Sequence, residues 1–391
     1  MNPIFERIER RRAWTAEETL LLDQVRRLCA EQIAPRAAHH DRTGEFPWDN
    51  IRRINELGLN RIFLPEAHGG GGLRFRAYLE VVKILAEACA STAIIYATNY
   101  HALGPLMDFG SEELKARVLP RIAEGALGAL AITEAVGGSD ATAMTTRFRP
   151  EGDEVVVDGG KVFITSGDVA DFLLLFGKWE GISDPKGAIS LLVMERKAVQ
   201  GFKVLRLEHK LGHRASSTAA LAFEGCRVPR ANLIGAPGDG LKLLFAALNR
   251  SRPSVAAHAL GIARAAFRDM VSYANDRRSS GRRIVDFQAN QFTIADAATD
   301  LAMAEAWLDY LCGVMEDGEE GYGLESSMAK MRASDLAMRI ATDAIQMHGG
   351  YGYIQDYRVE RLFRDAKITQ IWEGTNQVHR QLIGRSFARR D

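Results

Sequence analysis

Two spacings of hydrophobic residues divide the chain. Over about the first hundred residues apolar positions recur every three or four: Leu21, Val25, Leu28 and Ile33 share one helical face, behind Thr15 and Glu18 at the spacing of a capping box. Pro35 lies where that helix should end. Four glycines at 69–72 break the pattern, and a further helix is predicted from Ala77 to Ala90. From about residue 129 the period becomes that of strands. VVVDGGKVFIT reads as a hairpin turning at Asp158, Gly159 and Gly160, and DFLLLFGKW and AISLLVM read as further strands. NLIGAPGDG, with its glycines and proline, suits a linker.

Helical spacing then returns, with Leu260, Ala263, Phe267, Met270, Val271 and Ala274 on one face. Ile294, Ala297, Ala298, Leu301, Leu308, Leu311 and Met315 make a second such face, and Ala329, Ala333, Leu336, Ala337, Ile340, Ala344 and Met347 a third, stopped by Gly349 and Gly350. A fourth helix starts near Asn376. The expected fold is mainly α with a central β domain. It comprises an N-terminal helical domain (1–128), a β-barrel-like middle domain (129–237) and a C-terminal four-helix bundle (238–391).

With 391 residues, several cores and a bulky cofactor can be accommodated. Lys plus Arg and Asp plus Glu are 50 each, so no global field favours nucleic acid or an anionic membrane. Cys29, Cys89, Cys226 and Cys312 form no CxxC pair, so neither a zinc site nor a disulfide framework is indicated, and no metal is expected. No apolar run reaches the ~18 residues of a membrane span, and MNPIFERIERRR lacks a following apolar core; the expected location is cytoplasmic. GxGxxG, GxxxxGK, HExxH and GxSxG are all missing, which disfavours Rossmann, P-loop, zinc-peptidase and α/β-hydrolase chemistry.

Glu373 stands between the apolar Ile371 and Trp372 and a Gly374-Thr375-Asn376 stretch suited to capping the last helix. A carboxylate there lies at a helix N-terminus, where backbone amides can meet an anion or oxyanion.

ITEAVGGSD (132–140), KVFITSG (161–167), LGHRASST (211–218), NRSRP (249–253), QMHGGYGY (346–353) and RDAKITQIWEGTNQ (364–377) together resemble the acyl-CoA dehydrogenase family, in its order and across essentially the whole chain. The resemblance implies an FAD enzyme that desaturates an acyl-CoA thioester to a trans-2-enoyl thioester. Glu373 would take the α-proton, and FAD the β-hydride. Exclusion of water by the acyl chain would make that carboxylate a stronger proton acceptor. Its backbone N–H, with a ribityl hydroxyl, would hold the carbonyl oxygen.

Carried over by position, Ile132, Thr133, Gly138 and Ser139 resemble the loop on the flavin ring and ribityl chain, and Phe163 and Thr165 the pair beside the ring. Arg277, Gln288, Gln346, Gly349 and Gly350 match positions holding the adenine and pyrophosphate of a neighbouring subunit's FAD, which implies a homo-oligomer, a tetramer by family resemblance. Thr375 and Gln377 resemble further FAD contacts. Ser139, Asn249, Arg252 and Gly374 match positions along the pantetheine arm, with Arg252 open to a second reading as a buried ion pair. Electron transfer flavoprotein is the implied acceptor. Tyr96, Asn99 and Tyr100 occupy the region that lines the acyl pocket in relatives, and either limit the acyl group to short or branched chains or serve in helix packing.

Ala135, Phe163, Asn249 and Ser280 depart from the family's usual Pro, Trp, Asp and Phe. The last two put the pantetheine contact and the packing at the cofactor's edge in doubt. An oxidase, or a desaturase of carrier-protein thioesters, remains the alternative on the same scaffold. Related monooxygenases generally lack the Glu.

Overall fold

The computed structural model describes residues 3–388. Seven helices come first: α1 (Pro3–Arg11), α2 (Ala16–Leu28), α3 (Ala37–Thr43), α4 (Trp48–Glu56), α5 (Phe75–Ala88), α6 (Ala90–Phe109) and α7 (Glu112–Ala123). The capping box is present at the start of α2: the Thr15 hydroxyl accepts from the Glu18 N–H, and the Glu18 carboxylate accepts from the Thr15 N–H. After Leu28 the chain continues through a wide π-type turn, Cys29–Ile33, and a 3₁₀ turn that carries Pro35. The helix predicted over Ala77–Ala90 is α5, and the next helix begins almost at once because Cys89 is extended.

The middle of the chain forms β1 (Gly128–Ala131), β2 (Arg147–Glu151), β3 (Glu154–Thr165), β4 (Phe172–Trp179), β5 (Ile189–Glu195), β6 (Phe202–Leu207), β7 (Thr218–Pro229) and β8 (Leu233–Ile234). They make one sheet in the order β6-β7-β3-β2-β4-β5-β8, with β1 parallel to β4. The hairpin expected at Asp158–Gly160 is absent: β3 runs straight through those residues, antiparallel to β7, with a register shift between Val157 and Gly159. The glycines serve a bulge. A Cβ on Gly159 would lie 2.7 Å from the Cα of Thr146, so the neighbouring chain admits no side chain there.

The last third contains α8 (Gly240–Asp276), a short hairpin of β9 (Arg278–Ser279) and β10 (Arg282–Arg283), α9 (Gln288–Glu316), α10 (Gly323–His348), α11 (Val359–Thr369) and α12 (Asn376–Ser386). The bundle has one more helix than its sequence pattern predicts. α11 is amphipathic but short, burying Val359, Leu362 and Ala366. A continuous buried core runs from α5 and α6 through the sheet to α8 and α10. Arg12 also ties the N-terminal helices to the bundle, bonding to Glu80 of α5 (2.8 Å) and Glu305 of α9 (2.6 Å). Among the described residues no helix is long and apolar enough to cross a membrane, and no group of His, Cys, Asp or Glu is arranged to hold a metal.

Candidate active site

Glu373 sits on the turn between α11 and α12, in the left-handed region (φ 54°), and Gly374 follows at φ 95°. Two successive positive φ values reverse the chain sharply, and Thr375 then caps α12, its hydroxyl accepting from the Val378 N–H at 3.3 Å. The Glu373 carboxylate accepts a hydrogen bond from the Ser251 hydroxyl on α8 at 2.6 Å. Among the described residues no acceptor meets the backbone N–H of Glu373. Carboxylate and unengaged N–H are therefore offered from one residue.

The turn is gripped from two helices. Arg252 Nε of α8 reaches the Glu373 carbonyl at 3.4 Å, and its Nη1 donates to Asn249 (2.9 Å) and Ser327 (3.3 Å). The Nε and Nη1 donors of Arg252 are thus engaged within the chain. Lys330 Nζ of α10 donates to the Gly374 carbonyl (2.7 Å) and to Asn376 Oδ1 (3.0 Å). Burial pushes the Lys330 ammonium down to about 7, against the opposing pull of Glu373. His379 of α12, fully buried, is pushed down to about 3 by burial and by the nearby Arg252 and Lys330, so it is neutral.

Behind the turn, Trp372 meets His213 and His258 edge-on at 5.3 and 5.6 Å between ring centres. The two imidazoles face each other, Nε2 to Nε2, at 2.8 Å. Burial holds both well below the usual histidine range, which leaves them neutral and able to share one hydrogen. The His213 N–H donates to Asp365 of α11 at 2.6 Å, so the loop between β6 and β7 is fastened beside Glu373.

That loop also links the sheet to the turn, because the Ser166 N–H, one residue beyond Thr165, donates to the Ser217 carbonyl at 2.9 Å. Phe163 has φ 60° at a register shift of β3 and is 62% exposed, its ring turned out of the sheet. Ile132 and Thr133 follow β1. The Thr133 carbonyl accepts from the Val162 N–H (2.9 Å) and the Ile132 carbonyl from Lys161 Nζ (2.9 Å). Exposed Gly138 and Ser139 sit on the next turn.

Glu134 holds this loop from inside. Thr145 donates its N–H and hydroxyl to one carboxylate oxygen (2.6 and 2.7 Å), Thr146 does the same to the other (3.0 and 2.7 Å), and Lys161 Nζ lies 2.8 Å away. Burial would push the Glu134 carboxyl up; Lys161 and the threonines outweigh it and hold it down at about 2.

Arg277, Gln346, Gly349 and Gly350 come together elsewhere, lining a cavity of about 460 Å³ with Tyr273, His348 and Tyr351 at the far ends of α8 and α10. Gly349 adopts φ 61°, ψ −137°, a conformation essentially restricted to glycine. The Arg277 guanidinium lies 5.6 Å from the Tyr351 ring centre. Gln288 opens α9 and Gln377 lies on α12; both are exposed, and neither lines this cavity. Asn249 lines a second cavity of about 370 Å³ with Arg250, Asp108 and Tyr322. Tyr96 donates to the Leu59 carbonyl (3.0 Å), Asn99 accepts from the Gly128 N–H (2.8 Å), and Tyr100 accepts from Arg250 (2.7 Å).

Sequence reasoning missed Ser251, Lys330, Glu134, Lys161, His213 and His258 as site-forming residues. Most lay inside segments already singled out. Their signal was polarity at positions that the hydrophobic period assigns to the interior.

The family model described as "Acyl-CoA dehydrogenase, N-terminal domain" matches residues 15–126, that of the middle domain residues 129–226, and that of the C-terminal domain residues 238–388. A probable acyl-CoA dehydrogenase of Mycobacterium tuberculosis is 40% identical over 368 residues, covering 93% of this chain and 94% of its own. Among solved structures, butyryl-CoA dehydrogenase from Megasphaera elsdenii superposes with a TM-score of 0.93 at 32% identity, covering 96% of this chain and 99% of that one. A chain from work on the electron transferring flavoprotein of Acidaminococcus fermentans does so with a TM-score of 0.93 at 38% identity and the same coverage.

Proposed function

The chain belongs to the acyl-CoA dehydrogenase family and is an oxidoreductase acting on acyl-CoA, and from that premise we propose that Glu373 is the base that removes the proton beside the thioester carbonyl. The observation that carries this reading is the pairing of its carboxylate with its own unengaged N–H on one strained turn. A hydrogen next to a thioester carbonyl is a very weak acid, so proton removal has to be matched by stabilisation of the oxygen that becomes negative. The Glu373 N–H supplies a donor fixed before reaction. Ser251 holds Oε2 and leaves Oε1 to accept the proton.

The residues present fit FAD. Ile132, Thr133, Gly138 and Ser139, with the outward-turned Phe163 and Thr165, would hold the ring end, with Thr375 and Gln377 adding contacts from the start of α12. Arg277, Gln346 and Gly350 would hold a pyrophosphate and adenine through a guanidinium, an amide and open backbone; Gln288, outside their cavity, would add a contact from the start of α9. When bound, FAD supplies the acceptor for the β-hydride. Ser251 on α8 and Arg277, which immediately follows that helix, are 26 residues apart, about 39 Å at 1.5 Å per residue, further than one dinucleotide stretches. A second copy of the chain would therefore bring its Arg277 end to this copy's ring site, consistent with a homo-oligomer.

Asn249 and Gly374 would line the pantetheine arm, beside Ser139. Arg252, whose Nε and Nη1 bond to Glu373, Asn249 and Ser327, would hold the turn, and its Nη2 would face the pantetheine arm. The Arg250–Tyr100 hydrogen bond (2.7 Å) ties α8 to α6 beside the cavity that Asn249 lines, a restriction that favours a short or branched acyl group. Electron transfer flavoprotein is the proposed acceptor of the electrons.

The test is the visible flavin spectrum of wild type and Glu373→Gln, taken anaerobically with a series of acyl-CoA thioesters. Bleaching by butyryl- or isobutyryl-CoA in wild type, with loss of at least ~10³-fold in rate in the variant, is expected. FAD that no CoA thioester bleaches would sink the substrate assignment and direct the assay to carrier-protein thioesters.

A further inference from the structure

Lys330 is a lysine with 0% exposure. Among the described residues no carboxylate lies within ion-pairing distance of it. Its acceptors are the Gly374 carbonyl and the Asn376 amide oxygen. An unpaired buried ammonium is among the most expensive groups a fold can hold, and a neutral side chain could bridge the same two oxygens at far lower cost. Asn376 is already secured without it: its amide nitrogen donates to Asp335 (2.7 Å) and to Ser334 (2.9 Å). A titratable amine there, which carries its proton only below about 7, therefore calls for an explanation.

Glu373 is a non-glycine residue at φ 54°, followed by Gly374 at φ 95°. Such a turn persists only where its surroundings over-determine it. The Glu373 carbonyl is held by Arg252 and the next carbonyl by Lys330, so two buried cations from different helices grip adjacent peptides. The charged and titratable groups around Lys330 are Glu373 on the turn, Arg252 on α8, Asp335 on its own helix and His379 on α12. Asp335 is committed to Asn376, Gln370 and Arg380, and His379 is neutral. That leaves Glu373 as the opposite charge that favours the protonated form of Lys330.

We propose that Lys330 is a positioning residue for Glu373: its two hydrogen bonds hold the strained turn so that carboxylate and N–H stay aimed together, and its positive charge faces the carboxylate and, during reaction, the enolate. This rests on Glu373 being the base. The consequence is that proton removal from the α-carbon depends on the charge state of Lys330, which changes near neutrality.

The experiment isolates that step. The FAD-loaded enzyme is incubated in D2O with 3-thiabutyryl-CoA, whose β-position is sulfur and has no hydride to give, and exchange of its α-hydrogens is followed by mass spectrometry across pH. In wild type, exchange should decline on the alkaline side of about 7 as Lys330 loses its proton. Lys330→Arg, which stays charged, should lack that decline. Lys330→Gln, which keeps a donor without charge, should exchange ~10- to 100-fold more slowly below about 7 and converge with wild type on the alkaline side, while binding the thioester within ~2-fold of wild type. A Lys330→Gln enzyme that exchanges within ~3-fold of wild type with the same pH profile would show a purely structural role. If Lys330→Gln does not fold, Lys330→Arg still decides: a decline near neutrality that survives in it belongs to another group and overturns the proposal. Failure of the Glu373 reading looks different, because wild type and Glu373→Gln would then exchange alike.

Discussion

Replacing Lys161 by Met should destabilise the protein sharply, although the ion pair it breaks contributes little net stability. Glu134 and Lys161 are 4% and 0% exposed, 2.8 Å apart. Holding the Glu134 carboxyl at about 2 corresponds, at about 1.4 kcal/mol per tenfold, to about 3 kcal/mol in favour of the fold at neutral pH. Burial that pushes the Lys161 ammonium down to about 8 costs about 3 kcal/mol by the same measure. The two nearly cancel, as buried pairs commonly do. Removing Lys161 leaves the carboxylate with the Thr145 and Thr146 donors but no counter-charge, for which about 3 kcal/mol is expected, the low end for a broken buried pair.

The double variant Glu134→Gln with Lys161→Met should lose only about 1 kcal/mol, since no charge is stranded. Urea midpoints of the two single variants and the double variant close the cycle. A second signature is pH. The contribution of Glu134 is present above the ordinary carboxyl range and is lost as pH falls toward about 2. In wild type, stability should rise with pH beyond about 8, where folded Lys161 has shed a proton that the unfolded chain retains. Lys161→Met should lack that rise. Single-variant losses that simply add in the double variant, or a Lys161→Met loss under about 1 kcal/mol, would refute the reasoning.

Gly349→Ala should cost about 1–3 kcal/mol by denaturant unfolding, because φ 61°, ψ −137° excludes a Cβ even though open space surrounds it, and FAD should be lost more readily on dilution. Phe163→Gly should leave the apo-protein as stable or up to about 1 kcal/mol more stable, since a mostly exposed ring at φ 60° gives little burial and carries strain. FAD retention, read by absorbance after gel filtration, should nevertheless fall about tenfold or more; unchanged retention would remove Phe163 from the ring site.

The helix, strand, helix order was legible because amphipathic periods are set by which face is buried, and the core lies where those periods put it. The hairpin at Asp158–Gly160 was misread because two glycines signal either a turn or a bulge, and only the approach of Thr146 decides between them. α11 went unnoticed because its 11 residues carry only a short amphipathic stripe, Val359, Leu362 and Ala366. At the site, Glu373, Gly374 and Thr375 could be read together as consecutive residues at a helix start. Their supports could not: Ser251 is 122 residues from Glu373, and Lys330 is 44 from Gly374. No local pattern carries such pairings.

Backbone strain draws the same boundary. The non-glycine residues with positive φ among the described residues are Ala13, Phe163, Ser166, His213, Ser280 and Glu373. Four of them, Phe163, Ser166, His213 and Glu373, lie on the segments joined through Ser217, Trp372 and Asp365 around the proposed reaction centre. Local propensity opposes each of these conformations, so each has to be enforced by partners distant in sequence. For Glu373 those partners are two buried cations and a serine, themselves costly to bury. A fold under selection for stability alone would place a glycine on this turn and neutral side chains around it. The expense is intelligible if the turn's geometry and charge serve proton removal, and this joins the strain at Glu373 to the otherwise unexplained charge of Lys330.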